Sequence, residues 1–299
     1  MTLRSCLTLI LSMRAAVLAA GLLTHAGAAL AAEPLLGLYT FEQADGRFDR
    51  VVDASGQGRH PVSSGGVAVT TGHQGLEGEA AIFRPATPES PARGFEVEID
   101  ITPGAHPDGL TIGGWVNLAV SGDRRGANTF FSHADSPDDR ALWYNRATSA
   151  WEAMAYRSLQ GTPPSSMTAG EWHLIVATFD GRADDRVRLY LDGHPIGQTE
   201  FKGRGPASRR LRFGALDGAG SPESFVGRMD NLFVFGSVLT PAQIRMIQAH
   251  GLAGVQQVAG LRQVAGVLPR SVPEAGGLML AGLGVLGWAV HRRHRREPA

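Results

Sequence analysis

From Trp172 to Phe179 nearly every position is apolar or small. Trp172, Leu174, Val176 and Thr178 fall on one side of an extended strand, and His173, Ile175, Ala177 and Phe179 on the other. That pattern predicts a strand covered on both faces. After a polar loop at Arg182–Asp185 the period becomes two. Val187, Leu189 and Leu191 point inward, and Arg186, Arg188 and Tyr190 point outward, as in a half-exposed antiparallel strand. Asp192–Gly193 supplies the positive φ of a hairpin turn, and Ile196 resumes the core face. Further short β runs are predicted at 35–42, 67–70, 80–84, 95–101, 110–118, 128–132, 209–213 and 225–235, with Asp53–Gly58 as a turn. One short helix is predicted over 240–249, with Thr240 as N-cap and Pro241 in its first turn. Many closely spaced strands with a single helix predict an all-β fold, a jelly-roll sandwich of two antiparallel sheets.

The motifs carry a family resemblance. W-H-L-I-V-A-T-F-D-G at Trp172–Gly181, followed by R-L-Y-L-D-G-H-P-I-G at Arg188–Gly197, resembles the central hairpin of laminin-G-like domains of the concanavalin A-like lectin/glucanase superfamily. D-A-S-G-Q-G-R-H (Asp53–His60), G-E-A-A-I-F-R (Gly78–Arg84), L-T-I-G-G-W-V-N-L (Leu110–Leu118) and Phe225–Ile244 are similar, in the same order, to that family's early loop, core strands, closing strand and terminal helix. The resemblance implies a domain over residues 33–250. It speaks to fold and leaves activity open.

Formal net charge is +0 over 299 residues, so no polyelectrolyte partner is implied and nucleic acid is not expected. Residues 1–32 read as a secretory signal. Arg4 and Arg14 flank an apolar run at Ala15–Leu23, and Ala29-Leu30-Ala31 gives a small-x-small cleavage site ahead of Glu33. A membrane anchor is the alternative for this segment. The only cysteine, Cys6, lies within it, so the mature chain has no thiol, disulfide or cysteine metal site.

At the other end, residues 251–271 read as a linker with the small repeat Q-V-A-G at 257–260 and 263–266. Val272-Pro273-Glu274 then precedes an uncharged run over 275–290 and the basic cluster His291–Arg296. As a helix the run spans about 24 Å, enough for a thin or adapted bilayer. The arginines after it are expected to stay cytoplasmic, with the domain outside. The tripartite order over 272–299 resembles the PEP-CTERM sorting signal of Gram-negative bacteria, with Ala275 where that motif usually has proline. The resemblance implies an exosortase-type partner, tethering at the inner membrane, and release to the cell surface or extracellular matrix.

No catalytic residue is assigned. Glucanases of the superfamily carry Glu-x-Asp-x-x-Glu or a close variant on one strand face. Glu98-Ile99-Asp100 matches the first two carboxylates, but Pro103 stands at the third. Glu96, Glu98 and Asp100 read more simply as the polar outer side of a strand whose inner side is Phe95, Val97, Ile99 and Ile101. G-x-S-x-G, H-E-x-x-H and P-loop signatures are absent. His173 reads as a packing residue, and the loops at Asp135–Asp139 and Asp184–Asp185 as solvated turns.

Two binding features are expected. Relatives brace the sandwich with a structural calcium held by the acidic residue that Asp230 matches. Its alternative role is hydrogen bonding to backbone at a sheet rim. A sugar-binding face needs an aromatic ring and fixed polar groups, and Trp143 and Tyr144 are the candidates, with Trp151 read as core. The expectation is an exported, tethered, non-enzymatic module that binds glycan or extracellular protein. A glycan-active hydrolase or lyase and a structural matrix protein are the alternatives.

Overall fold

A computed structural model describes residues 32–42, 51–64, 68–69, 74–84, 94–102, 104–119, 127–133, 140–155, 157–161, 167–181, 186–200, 210–215 and 224–261. Among these, strands form two antiparallel sheets, and one helix near the C-terminal side packs on the first of them. The first sheet runs in the order β13 (His194–Glu200), β12 (Arg186–Leu191), β11 (His173–Phe179), β6 (Leu110–Leu118), β15 (Gly227–Phe235), β4 (Ala81–Phe83), β3 (Ala68–Val69). β1 (Leu35–Tyr39) lies beside the second half of β15, pairing Tyr39 with Leu232 and Leu35 with Phe235. The second sheet runs β10 (Arg157–Gly161), β9 (Ala150–Ala155), β8 (Ala141–Asn145), β7 (Ala127–His133), β14 (Leu211–Phe213), β5 (Phe95–Val97), β2 (Ser63–Ser64).

The alternation of the first sheet feeds two separate cores. Ile175, Ala177, Phe179, Val187, Leu189 and Leu191 face inward, against Leu142, Trp151, Leu211 and Phe213 of the second sheet. An aromatic ladder joins the layers there. Phe95 meets Tyr39 at 5.5 Å and Phe213 at 5.2 Å between ring centroids. Such pairs add about 0.5–1.5 kcal/mol each beyond area burial. Leu174, Val176, Trp115, Phe233 and Phe235 point the other way, under α1 (Pro241–Val258) and its Ile244, Ile247, Val255 and Val258. The helix is why β11 is apolar on both sides. It also covers Tyr190, which the alternation places on the wet face and which is 4% exposed.

The hairpin turn has φ 49° at Asp192 and 79° at Gly193, both positive as a two-residue type I′ turn requires. At the centre of the sheet a Cβ on Gly113 would stand 2.4 Å from the Phe233 ring, so glycine lets β15 approach β6.

Two boundaries differ from the sequence reading. β5 ends at Val97. The Ile99 amide bonds back to Val97 O at 2.9 Å, turning the chain at Glu98, so Glu98 and Asp100 lie off the strand. The helix, expected to stop at 249, runs to Val258 through residues assigned to the linker. Gly251 breaks it (φ 57°, ψ −136°), but the Glu77 carboxylate accepts the Leu252 amide at 3.2 Å and restarts the next turns. A capping box closes the first end, with Thr240 Oγ1 accepting Gln243 N and Gln243 Oε1 accepting Thr240 N.

Among the described residues no helix is long and apolar enough to cross a membrane. The signal segment 1–31, the sorting motif Val272, Pro273 and Glu274, and the run 275–290 lie outside the described residues.

Candidate binding face

With α1 on the outer side of the first sheet, the outer side of the second carries the oriented polar groups, most of them buried: Thr129 and Ser132 are 0% exposed, Arg212 and Glu152 6%, Trp143 8% and Glu96 9%. Its residues follow from parity. Leu142, Tyr144, Trp151 and Ala153 take the core side of β8 and β9, so Trp143 and Glu152 take the outer side. Thr129 of β7 pairs with Trp143, which pairs with Glu152, giving one cross-strand row. Ser132 of β7, Arg212 of β14 and Glu96 of β5 give a second. A bulge at Phe130 puts both Phe130 and Phe131 into the core and keeps the rows in phase.

The polar groups on this face are fixed. Trp143 Nε1 donates to Glu152 Oε2 at 2.7 Å, and Asn145 Nδ2 donates to Glu152 Oε1 at 2.8 Å. Arg212 Nε donates to Glu96 Oε1 at 2.9 Å, and its Nη2 reaches the same oxygen. Arg210, half exposed, reaches Glu96 Oε2 at 3.3 Å. Ser132 Oγ donates to Ala215 O at 2.6 Å.

The structure separates the two expected ligand residues. Adjacent on β8, Trp143 and Tyr144 point to opposite faces. Tyr144 belongs to the inner core and meets Trp151 edge-on at 5.5 Å, so it cannot share a ligand with Trp143. Trp143 is on the outer face with 8% of its surface exposed, so it offers a pinned edge and not an open stacking plane. Trp151 is fully buried, as read from the sequence. The sequence reading passed over Glu152, Asn145, Arg212 and Glu96 as binding groups. The alternation W-E-A in β9 and L-R-F in β14 was the signal that could have found them.

Among the described residues, the two carboxylates on this face are not placed as a glycosidase pair. Glu152 and Glu96 are four strand steps apart, which is roughly 19 Å at about 4.8 Å per step. Carboxylates that share a glycosidic bond stand about 5–9.5 Å apart. Glu96 is also tied up by two arginines.

Asp230 is fully buried, and its surroundings do not suit a cation. Oδ2 accepts the Leu76 amide at 2.8 Å and the Glu77 amide at 3.4 Å, and Oδ1 accepts the Asn231 amide at 2.7 Å. Three hydrogen-bond donors therefore occupy a carboxylate with about four lone-pair sites, where calcium wants six to eight oxygens. Burial pushes this carboxyl up to about 7, against the pull of those three N–H groups. No group of three or more His, Cys, Asp or Glu that could hold a metal occurs among the described residues. In this structure Asp230 clamps the loop at 74–80, which in turn carries Glu77 to the helix break.

Asp53 plays a similar part in its loop. Oδ1 accepts the Leu38 amide at 3.0 Å and the Ser55 amide at 2.9 Å, while Oδ2 accepts Ser55 Oγ at 2.8 Å and the Arg59 amide at 2.9 Å. Burial pushes the carboxyl up, but these bonds outweigh it and hold it below the usual carboxylate range. His173 is held by Asp192, Nδ1 to Oδ2 at 2.7 Å, and that hydrogen bond raises its pKa.

A separate open cavity of about 480 Å³ lies at the end of the first sheet, lined by Pro107, Asp108, Asp180, Arg186, Arg188 and Val238. Asp180 Oδ1 there accepts the Arg186 amide at 2.8 Å. The loops at 135–139 and 182–185 lie outside the described residues.

The family model of the concanavalin A-like lectin/glucanases superfamily matches residues 96–245, half of the chain. The chain belongs to that superfamily. The PEP-CTERM protein-sorting motif matches residues 271–296, which marks the protein as exported. No curated protein matches the sequence. Similar solved structures include the receptor binding domain of botulinum neurotoxin C/D mosaic serotype, with 11% identity, TM-score 0.53, and 73% of this chain and 51% of that one covered. The botulinum neurotoxin serotype G binding domain gives 15% identity, TM-score 0.52, and 72% and 50% coverage. The binding domain of Paraclostridial Mosquitocidal Protein 1 gives 13%, 0.52, and 72% and 52%. This chain therefore spans about half of each, and at these identities the likeness is one of fold.

Proposed function

We propose that this superfamily member is an exported, non-catalytic binding module. It presents the outer face of its second sheet to a glycan of the envelope or extracellular matrix, while an exosortase-type machinery handles its tail. The observation that carries this reading is the contrast between the two outer faces. One is apolar and covered by α1; the other holds oriented polar groups around Trp143, in two rows across five strands, buried at Thr129, Ser132, Arg212, Glu152 and Glu96, part-open at Asn145 and half exposed at Arg210. Fixed hydrogen-bonding groups beside an aromatic edge are what a sugar hydroxyl array needs. The distance between Glu96 and Glu152 supports binding over hydrolysis. Trp143 is the aromatic member of the site, with Glu152, Asn145 and Arg212 as polar members.

The test is a glycan array with the mature protein, residues 33–299 in detergent, run with calcium and with a chelator. Binding to a defined glycan class, lost in Trp143→Ala, supports the reading. No glycan bound in either condition would leave a matrix role without a small ligand. Release of reducing sugar from a bound glycan would make the protein an enzyme. Calcium at Asp230 enters as the chelator arm, where an effect on binding would show a cation that the donor-lined carboxylate does not suggest.

A further inference from the structure

Arg186, Arg188 and Tyr190 share the outer side of β12, since Val187, Leu189 and Leu191 take the core side. Tyr190 lies in the apolar cluster under α1, whereas Arg188 is half-buried and Arg186 exposed, at the end of the strand where the open cavity lies. Two glycines let the cavity's walls close up. A Cβ on Gly181 would stand 2.3 Å from His106 O, and one on Gly109 would stand 2.3 Å from Val238 Cγ2. Val238 N donates to Asp108 O at 3.2 Å, which fixes that wall. Asp180 is fixed on the other, its amide donating to Arg186 O at 3.3 Å and its Oδ1 accepting the Arg186 amide at 2.8 Å. Among the described residues its Oδ2 takes no hydrogen bond, and neither the Arg186 nor the Arg188 guanidinium is in an ion pair or a side-chain hydrogen bond. Two spare hydroxyls flank these walls. Thr178, opposite Arg188 across the ladder and on the same side, and Ser237, next to Val238, are buried with no partner for Oγ1 or Oγ among the described residues. Buried polar atoms left in that state are uncommon.

We propose that this cavity is a second ligand site, for a uronic-acid residue of an acidic polysaccharide. The sugar's carboxylate meets the two guanidiniums, whose strand positions are about 7 Å apart and whose forked N–H groups match it. The hydroxyls of the same ring donate to Asp108 and to Asp180 Oδ2. The mixed walls decide against simpler ligands. An inorganic anion or a metal cation would each face two groups of its own sign, and a neutral sugar would leave both arginines without a counter-charge. The cavity, about 480 Å³, falls within the range of small-molecule sites, about 300–1,000 Å³. The chain has no net charge, so recognition rests on these local groups and not on a general attraction to polyanions. The site lies on the α1 side of the sandwich and Trp143 on the outer side of the second sheet, so it does not rest on the binding face proposed above.

The test is calorimetric titration of the mature protein, residues 33–299 in detergent, with oligomers of galacturonate, glucuronate and mannuronate. Two controls are the same oligomers after carboxyl reduction, and polyglutamate, which carries carboxylates without sugar hydroxyls. At least one oligouronate should bind at least tenfold tighter than its reduced form and than polyglutamate. Arg186→Gln with Arg188→Gln should weaken that binding at least tenfold at an unchanged melting temperature, and Trp143→Ala should leave it at the wild-type value. No oligouronate bound, equal affinity for either control, or full affinity in the double arginine variant would each overturn the proposal. A loss in Trp143→Ala with none in the arginine variant would also overturn it, and would move the uronate to the second sheet.

Discussion

Replacing Asp53 with alanine should be strongly destabilising. The carboxylate is 5% exposed and accepts three backbone amides and one hydroxyl, binding Leu38 of β1 to the 53–59 loop. Alanine leaves the buried Leu38 and Ser55 amides without their acceptor. Each such orphan costs about 1–3 kcal/mol, and bonds to a charged acceptor about 1.5–3 kcal/mol. Because the bonds share one carboxylate their energies do not add, and a total loss of about 3–5 kcal/mol follows. At this chain length that is a fall in melting temperature of roughly 10 °C. Asp53→Asn should fall between the wild type and the alanine variant. The amide oxygen keeps Leu38 and Ser55, while the amide nitrogen meets the Arg59 N–H donor to donor. The stabilisation also titrates. The folded pKa is depressed, so the contribution is present above the unfolded value near 4 and is lost as pH falls through the lower folded value. Urea unfolding at pH 7 and pH 2.5 for the three proteins measures both effects. A loss under 1 kcal/mol for Asp53→Ala at pH 7, or a gap that stays the same at pH 2.5, would refute the reasoning.

Three further outcomes follow from the same geometry. Asp230, raised to about 7 in the fold, binds more protons folded than unfolded between pH 4 and 7, so its ionisation costs stability as pH rises through that window, by up to about 4 kcal/mol. Relative to Asp230→Asn, the wild type should lose ground in urea titrations between pH 4 and pH 8, and a flat difference would contradict this. Arg212→Met should cost about 2–4 kcal/mol by leaving Glu96 with the half-exposed Arg210 as its remaining arginine, whereas Arg212→Met with Glu96→Leu should recover most of it, as read by chemical denaturation. Gly251→Ala should cost about 1–3 kcal/mol and loosen the second segment of α1 in hydrogen exchange, since φ 57° disfavours a side chain and the new Cβ would stand 1.9 Å from Glu77 Oε1.

What the sequence revealed and what it hid divide along lines of range. The hairpin at 172–197 was legible because its information is local: alternation sets the faces, and Asp192–Gly193 sets the turn. The double burial of Trp172–Phe179 was legible too, although only the structure shows that α1 supplies the second cover and takes Tyr190 with it. The length of α1 was not legible, because Gly251 reads as a stop and the capping carboxylate that overrides it, Glu77, comes from a loop 175 residues away. Asp230 was found by resemblance, yet its amide partners at 76 and 77 carry no side-chain signature. At Trp143–Tyr144 composition suggested an aromatic patch, but strand parity forbids two neighbours from sharing one face. The same parity, applied to β14 and β5, would have placed Arg212 opposite Glu96.

The most direct test of the binding face is the affinity of the mature protein for the array-selected glycan after Glu152→Gln, which keeps the shape of the side chain but disturbs the bonds to Trp143 and Asn145. Arg245→Ala, on α1 at the far side of the first sheet, is the comparison. The account predicts at least a tenfold loss for Glu152→Gln and wild-type affinity for Arg245→Ala, with both proteins folded. Unchanged affinity in Glu152→Gln, or a loss confined to Arg245→Ala, would place the ligand elsewhere and contradict it.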